Sequence, residues 1–394
     1  MFSNRTSWSS VPNALTVALQ QRRQKSLPVL DLTQSNPTTA LPPMPWSAIQ
    51  EAMVRPENAT YVPDSLGLLS ARQAVAWHHS NRVSPERVLL TASTSEAYAF
   101  LFKLLCDPGS EILVPTPSYP LFDYLAGLES VRSRQYPSHF VDGRWVIDYQ
   151  VLIDTWTPAC RAVLIVTPNN PTGAAVSRQD TDFLSKFCAE RQIALISDEV
   201  FADTIVLGAG PECFDNIGFT GEHRCLNFVL SGLSKVMLLP QLKCAWVLCQ
   251  GPPAMARAAM ERLEIIADTY LSVATPVQNA LPTLLQMVPE VQAVLKQRLD
   301  ANSLIIKEEL SDSAVRMWPA QGGWSTLVRV PAVLDHDDEF ALQLLEIDGI
   351  LVQPGHYFDM PGQGWLVVSR LGPPAELRQG MRKLVQRVQQ LVGA

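Results

Sequence analysis

Between about residue 50 and residue 285 the chain alternates short, uninterrupted apolar runs with longer amphipathic stretches. The runs lie at 87–91, 111–114, 162–166, 193–196, 227–230 and 245–249. They are too short for helices and too continuous for strands with one wet face. They predict strands buried on both faces of a mainly parallel sheet. Helical patterns such as 95–105 and 178–191 supply the crossovers. From 253 to 310 the pattern is mostly helical, with Pro276, Pro282 and Pro289 expected as breaks. Strand patterns return at 325–330, 350–352 and 365–369, followed by a terminal helix at 374–391. Ahead of the first run, Ser10 before Pro12 predicts the cap of a helix with Leu15, Ala18 and Leu19 on one face. Arg22, Arg23 and Lys25 then sit at its negative end. Pro28 predicts an extended segment and Pro42, Pro43 and Pro45 a rigid loop. The expected architecture is α/β: a large domain over 46–285, and a smaller α+β domain made of 1–45 together with 286–394.

Composition narrows the partners. The 394 residues are 47% hydrophobic and 18% charged, which suits a globular chain of two domains. A formal charge of -7 supplies no basic face, so no nucleic acid is expected as partner. Seven cysteines, at 106, 160, 188, 213, 225, 244 and 249, contain no C-x-x-C pair. No metal site and no dense disulfide framework are expected, and a reducing, cytoplasmic location is the simpler reading. The N-terminus lacks the apolar core of a signal peptide, and no stretch is long enough to span a bilayer, so no membrane is expected. The absence of a Walker-type lysine and of G-x-G-x-x-G argues against a nucleotide.

Candidate chemistry gathers where the apolar runs end, which in an open parallel sheet is where ligands bind. After 87–91 come Ser93, Thr94 and Ser95 at a helix start, either an anion site or a plain Ser/Thr cap. After 111–114 comes Tyr119 between Ser118 and Pro120, a rigidly held aromatic that could stack on a flat ring or simply pack. Asn169-Asn170-Pro171-Thr172-Gly173 follows the next run; its residues suit a turn, and the Asn170 amide could donate to a ring oxygen. Asp198 ends the run after that. Buried against a pyridine nitrogen, it would keep that nitrogen protonated. Lys235, in Ser231-Gly-Leu-Ser-Lys235, follows 227–230; a desolvated lysine there can act as nucleophile and proton shuttle. Lys243, eight residues on, could meet a phosphate as a point charge.

Taken in order and spacing, these residues resemble the class I/II aminotransferases of fold type I, which depend on pyridoxal 5′-phosphate (PLP). The resemblance covers nearly the whole chain: Ser35-Asn36-Pro37-Thr38, Tyr61 to Gly67, Asn170 to Gly173, Asp198-Glu199-Val200, Ser234-Lys235, Gln321-Gly-Gly-Trp324 and Val352-Gln-Pro-Gly355 with Phe358. It implies a seven-stranded, mainly parallel sheet in the large domain and a homodimer with shared active sites. Lys235 would carry the cofactor as a Schiff base and move the substrate proton. Asp198 would pair with the pyridine nitrogen, Asn170 with the phenolic oxygen, and Tyr119 would stack on the ring. Ser93, Thr94 and Ser95 would cradle the phosphate with Ser231 or Ser234, Lys243 and the neighbouring subunit's copy of Tyr61. Asn36, Asn170 and Arg370 are the substrate-binding candidates. The reaction implied is transfer of an amino group from an amino acid or amine to a 2-oxo acid. The alternative is elimination or cyclisation of an activated amino acid on the same fold.

Three positions depart from the family pattern. Phe201 stands where a tyrosine is usual, so the Schiff-base nitrogen is expected to be more basic and the cofactor less tightly held. Lys243 replaces an arginine, losing the two-pronged phosphate grip. Val367 occupies the place of the carboxylate-binding arginine. Strand alternation aims the nearby Arg370 at the face opposite Val367 and Ser369, unless a bulge redirects it; otherwise it is expected to be a surface or interface charge. Trp46, Trp324, Tyr270 and Tyr357 could line an aromatic pocket or pack in the core.

Overall fold

The computed structural model describes residues 1–42, 44–205, 224–271, 273–331 and 336–393; Cys213 and Pro43 fall outside them. The first strands are β1 (Leu30–Asp31), β2 (Val88–Thr91), β3 (Glu111–Thr116), β4 (Arg132–Val141), β5 (Arg144–Ile147), β6 (Cys160–Val166), β7 (Ala194–Asp198), β8 (Asn227–Gly232) and β9 (Ala245–Gln250). They are followed by β10 (Arg316–Met317), β11 (Ser325–Arg329), β12 (Ile350–Leu351), β13 (Gln353–Pro354) and β14 (Trp365–Ser369).

The main sheet has the order β2-β9-β8-β7-β6-β3-β4-β5. The neighbours from β8 through β4 pair in parallel, while β9 runs antiparallel between β2 and β8. All six apolar runs of the large unit are strands of this sheet, and each is buried on both faces. In β8, Phe228 and Leu230 pack with Leu101 and Leu263, whereas Val229 packs on the other side with Trp246 and Leu281. Helices Thr94–Leu105 and Pro253–Tyr270 cover the first face, and Leu69–His78 and Thr275–Gln286 the second. Toward β6 and β3 the second face is covered by Arg178–Arg191.

The sheet has eight strands rather than the expected seven, because β4 and β5 form a hairpin at the edge. Their apolar signal is weak: β4 is fully buried only at Tyr136 and carries Pro137, the last residue it pairs with β3. Asp142 and Gly143, both with positive φ (50° and 84°), make the two-residue turn between them.

Two helix expectations need correction. The first helix is Ala14–Gln24, and its cap is Asn13, whose side chain accepts from the Thr16 N–H at 2.8 Å, not Ser10. Pro276 and Pro289 do open helices, but Pro282 lies inside Thr275–Gln286. A proline there forfeits one main-chain hydrogen bond at a cost of about 3 kcal/mol. Burial of Val277, Ala280, Leu281, Leu284 and Leu285 on that helix outweighs it.

The remaining strands build a smaller antiparallel sheet, β10-β11-β14-β13, while β1 pairs in parallel with β12. Its core joins Leu15, Ala18 and Leu32 from the N-terminal segment to Ile306, Val328, Val368 and Leu384. Among the described residues no helix is long and apolar enough to cross a membrane.

Candidate active site

The parallel strands place their carboxyl ends along one edge, and the candidate residues follow them. Val166 of β6 is in register with Asp198 of β7, and Asp198 with Leu230 of β8. Asp198 is therefore the last residue of a central strand, and it is buried. Its Oδ2 accepts from the Tyr98 hydroxyl at 2.7 Å and its Oδ1 from the Val200 N–H at 3.2 Å. Burial pushes the carboxyl above its ordinary range, opposed by the Tyr98 hydroxyl, the Val200 N–H and the positive charge of Lys235.

Lys235 lies in the one-turn helix Leu233–Val236 that leaves β8. Gly232 allows that exit: a Cβ there would stand 2.8 Å from the Ala245 Cβ across the β8–β9 pair. The Gln292 amide fixes the turn by donating to the carbonyls of Lys235 (3.0 Å) and Val236 (2.7 Å). The Lys235 Nζ sits 4.5 Å from the centre of the Trp324 ring and 5.5 Å from that of Phe201. Those rings meet edge to face at 5.4 Å. Burial lowers the lysine's pKa, and Asp198 opposes the shift. A half-buried amine beside two aromatic rings, within electrostatic reach of a buried carboxylate, is thus the centre of the site.

The surrounding loops are cross-tied. Ser93 caps helix Thr94–Leu105, its Oγ accepting from the Glu96 N–H at 3.1 Å while Glu96 accepts from the Ala92 N–H at 2.6 Å. The N–H groups of Thr94 and Ser95 keep no partner among the described residues, which leaves this helix end ready for an anion. Tyr119 is 42% exposed, and its partial burial, with the nearby charge of Asp198, raises its phenol pKa. Its loop is held by the Ser118 N–H, which donates to the Phe358 carbonyl at 3.0 Å, and by Asn169, which donates to the Pro117 carbonyl at 3.2 Å. Asn169 thereby takes the structural duty in its turn, while the half-buried Asn170 amide makes no hydrogen bond among the described residues. Peptide bonds Thr116–Pro117, Thr167–Pro168 and Asn170–Pro171 are cis. The Gly173 carbonyl accepts from the N–H groups of Gln321 (2.9 Å) and Gly322 (3.1 Å), and Thr204 Oγ1 accepts from Gly323 at 2.7 Å. Trp324 is thus carried to Lys235 by a loop tied to both the Asn169–Gly173 and the Phe201–Thr204 segments.

The structure does not bring every candidate together. Ser231 is buried on the sheet face opposite Asp198 and lines a cavity with His78, His79, Glu199 and Asp203. Of the two serines, Ser234 is the one in the Lys235 turn. Lys243 is exposed, just ahead of β9, in a left-handed conformation (φ 50°). Asn36 is exposed and uses its Oδ1 to cap Thr38. Tyr61 is 69% exposed.

Arg370 is not a surface charge. It is buried, and it donates to the carbonyls of Gly322 (3.2 Å) and Gly323 (2.5 Å) and to Ser303 Oγ (3.1 Å). Burial lowers its pKa to about 10. Val367 is enclosed by Trp145, Leu327, Phe358, Met360 and Trp365, an apolar wall. Of the four aromatic candidates only Trp324 reaches Lys235. Trp46 is exposed, Tyr270 packs on Phe100 at 4.9 Å, and the Tyr357 hydroxyl accepts from Asn13 at 2.7 Å. The residue missed from sequence is Tyr98. Its only signal was a lone hydroxyl on the buried stripe of Ala97, Phe100, Leu101 and Phe102. The six described cysteines are free thiols.

A parallel sheet with an acid, an amine and an anion-ready helix end at one edge defines a class of enzyme, and sequence comparison agrees with it. The profile of the family "Aminotransferase class I and II" matches residues 28–384. The chain belongs to that family, whose members are generally PLP-dependent transferases acting on amino acids and keto acids. It is 26% identical over 378 residues to nicotianamine aminotransferase 1 of Oryza sativa subsp. japonica, covering 91% of this chain and 74% of that one. It is 29% identical over 234 residues to the glutamate-pyruvate aminotransferase of Escherichia coli K12, covering 56% of this chain and 55% of that one. Among solved structures, alanine aminotransferase from Pyrococcus furiosus superposes with a TM-score of 0.86 at 25% identity, over 99% of this chain and 100% of that one. An aspartate aminotransferase double mutant from Thermus thermophilus shares the fold with a TM-score of 0.84 at 21% identity, over 98% and 99%.

The residues present fit PLP. A pyridine nitrogen calls for a buried acid, an aldehyde for a partly desolvated amine, and a phosphate for free N–H groups at a helix start. Asp198, Lys235 and the Thr94 end supply these, and among the described residues each Asp198 oxygen has one donor, leaving lone pairs for another.

Proposed function

We propose that this protein is an aminotransferase that moves an amino group from an amino donor to a 2-oxo acid, with Lys235 as the amine that holds PLP. The opposed pair of buried Asp198 and desolvated Lys235 carries the reading. When bound, PLP supplies an electron sink that acidifies the hydrogen on the donor's α-carbon. Lys235, its basicity lowered by burial, is the group that takes and returns that proton. Asp198 keeps a proton on the ring nitrogen, and Tyr119 covers the ring. Ser93, Thr94 and Ser95, with Ser234, would hold the phosphate, and Asn170 would direct its amide to the ring oxygen. Two domains, 46–285 and the remainder, would bracket the substrate, and a homodimer would complete each site through Tyr61.

The test is a single-turnover assay of PLP-loaded protein with amino donors and no acceptor. Transfer of the amino group yields one equivalent of 2-oxo acid per site and then stops until a 2-oxo acid acceptor is added. Continued turnover with release of ammonia, or of a cyclised product, would replace this reading with elimination or cyclisation.

A further inference from the structure

We propose that Tyr98 is the positioning residue that keeps Asp198 an oriented carboxylate, so that a single helix sets both ends of the cofactor site. The inference rests on the PLP reading above. Tyr98 lies on Thr94–Leu105, one turn beyond the N-terminus assigned to the phosphate. Its ring is buried against Phe102 (6.0 Å) and Phe122 (5.5 Å), which fixes where the hydroxyl points. That hydroxyl meets Asp198 Oδ2 at 2.7 Å. The spacing between the anion-binding end and the acid is therefore held by one rigid turn of helix.

The hydroxyl also decides the charge of the acid. Among the described residues three titratable groups act on Asp198: Tyr98 from the helix, Tyr119 from the loop after β3, and Lys235 from the turn after β8. Burial favours a neutral carboxyl, and a neutral carboxyl cannot hold a proton on a ring nitrogen. Of the protein groups, the Tyr98 hydroxyl makes the shorter of the two hydrogen bonds that resist neutralisation, the Val200 N–H at 3.2 Å making the other. Burial raises the phenol's own pKa far beyond reach, so it remains a donor at every working pH. With Oδ2 given to Tyr98 and Oδ1 to Val200, the carboxylate plane is set before any cofactor arrives.

Tyr98→Phe removes the hydroxyl and keeps the ring. In the full-length protein freed of PLP, urea unfolding is followed against pH for wild type, Tyr98→Phe, Asp198→Asn and the double variant. Loss of the donor raises the folded-state pKa of Asp198 further above its wild-type position, which burial has already raised. The unfolded chains titrate alike, so the stability gap between wild type and Tyr98→Phe should widen as pH rises from the folded-state pKa of the wild-type acid to that of the variant's. It should not depend on pH in the Asp198→Asn background. PLP affinity, measured by equilibrium titration, should fall about tenfold or more, the loss of one hydrogen bond to a charged group. A gap that is the same at every pH and in both backgrounds, with PLP affinity intact, would make Tyr98 an ordinary core residue and overturn the inference. Should the Phe variant not fold, the infrared spectrum of wild type against Asp198→Asn decides. A protonated-carboxyl band from Asp198 at pH 6 would overturn it, and its absence supports it. A wild type that never takes up PLP would defeat the functional reading and with it this assignment to a cofactor site, while the unfolding series would still show whether the hydroxyl governs the acid.

Discussion

Replacing Arg370 with methionine should cost stability before it costs substrate recognition. The side chain keeps its apolar stem in methionine but loses three donated hydrogen bonds: to Gly322 and Gly323 carbonyls and to Ser303. Bonds from a charged donor are worth about 1.5–3 kcal/mol each, and desolvating the guanidinium takes back several kcal/mol. Two buried carbonyls left unsatisfied add about 1–3 kcal/mol each. The balance is a loss of about 2–5 kcal/mol, and a fall in Tm of roughly 2–6 °C. Because the guanidinium pKa of about 10 leaves it charged at neutral pH, the loss should be constant from pH 6 to 8. Gly322 and Gly323 lead directly into Trp324, which covers Lys235, so kcat should fall for every donor alike. Thermal denaturation and steady-state kinetics with carboxylate-bearing and carboxylate-free amines check this. An unchanged Tm with a KM that rises only for carboxylate-bearing donors would refute the scaffold role and make Arg370 the carboxylate anchor.

Three further outcomes follow from the geometry. Gly173→Ala places a Cβ 2.5 Å from Ala320 Cβ and 2.7 Å from the Gly322 carbonyl at a φ of +68°, so urea unfolding should show a loss of about 2–4 kcal/mol. The same change should loosen the loop that delivers Trp324. His79 accepts from the Trp246 indole N–H at 3.0 Å, and burial beside His78 lowers its pKa to about 3. The unfolded chain therefore binds a proton there that the folded one refuses. Stability should be lost as pH falls from about 6.5 to about 3, and His79→Gln, which keeps an acceptor, should flatten that slope in unfolding measurements. Lys235→Ala should abolish the visible absorbance that PLP gives the wild-type protein, with the fold intact by circular dichroism.

Much of the candidate site was legible because its residues are tied to strand ends. Asp198, Lys235, Asn170 and Tyr119 each follow an apolar run, and a parallel sheet brings such ends to one edge whatever the intervening loops do. Tyr98 was not legible: as one more aromatic in an apolar helix, it acquires meaning only when Asp198, 100 residues away, is folded against it. Ser231 and Ser234 were indistinguishable by spacing. A strand sends alternate side chains to opposite faces, and only the end of β8 separates the two.

The β4–β5 hairpin shows the same limit in the fold. Local polarity predicted no strand, and the open edge of β3 made one. Arg370 is the sharpest case. Alternation along β14 correctly detached it from the Val367 face, but no local rule foresees that two glycine carbonyls will be waiting for a guanidinium 47 residues from the nearer one. What the sequence by itself determined was the alternation of buried strands with helices, and with it the acid and the amine at one sheet edge. Periodicity is a local property and each strand carries its own. Which hydroxyl holds the acid, which rings wall in the amine and what the arginine grips were decided by tertiary structure, because hydrogen bonds and ring contacts between distant segments exist only once the segments are packed.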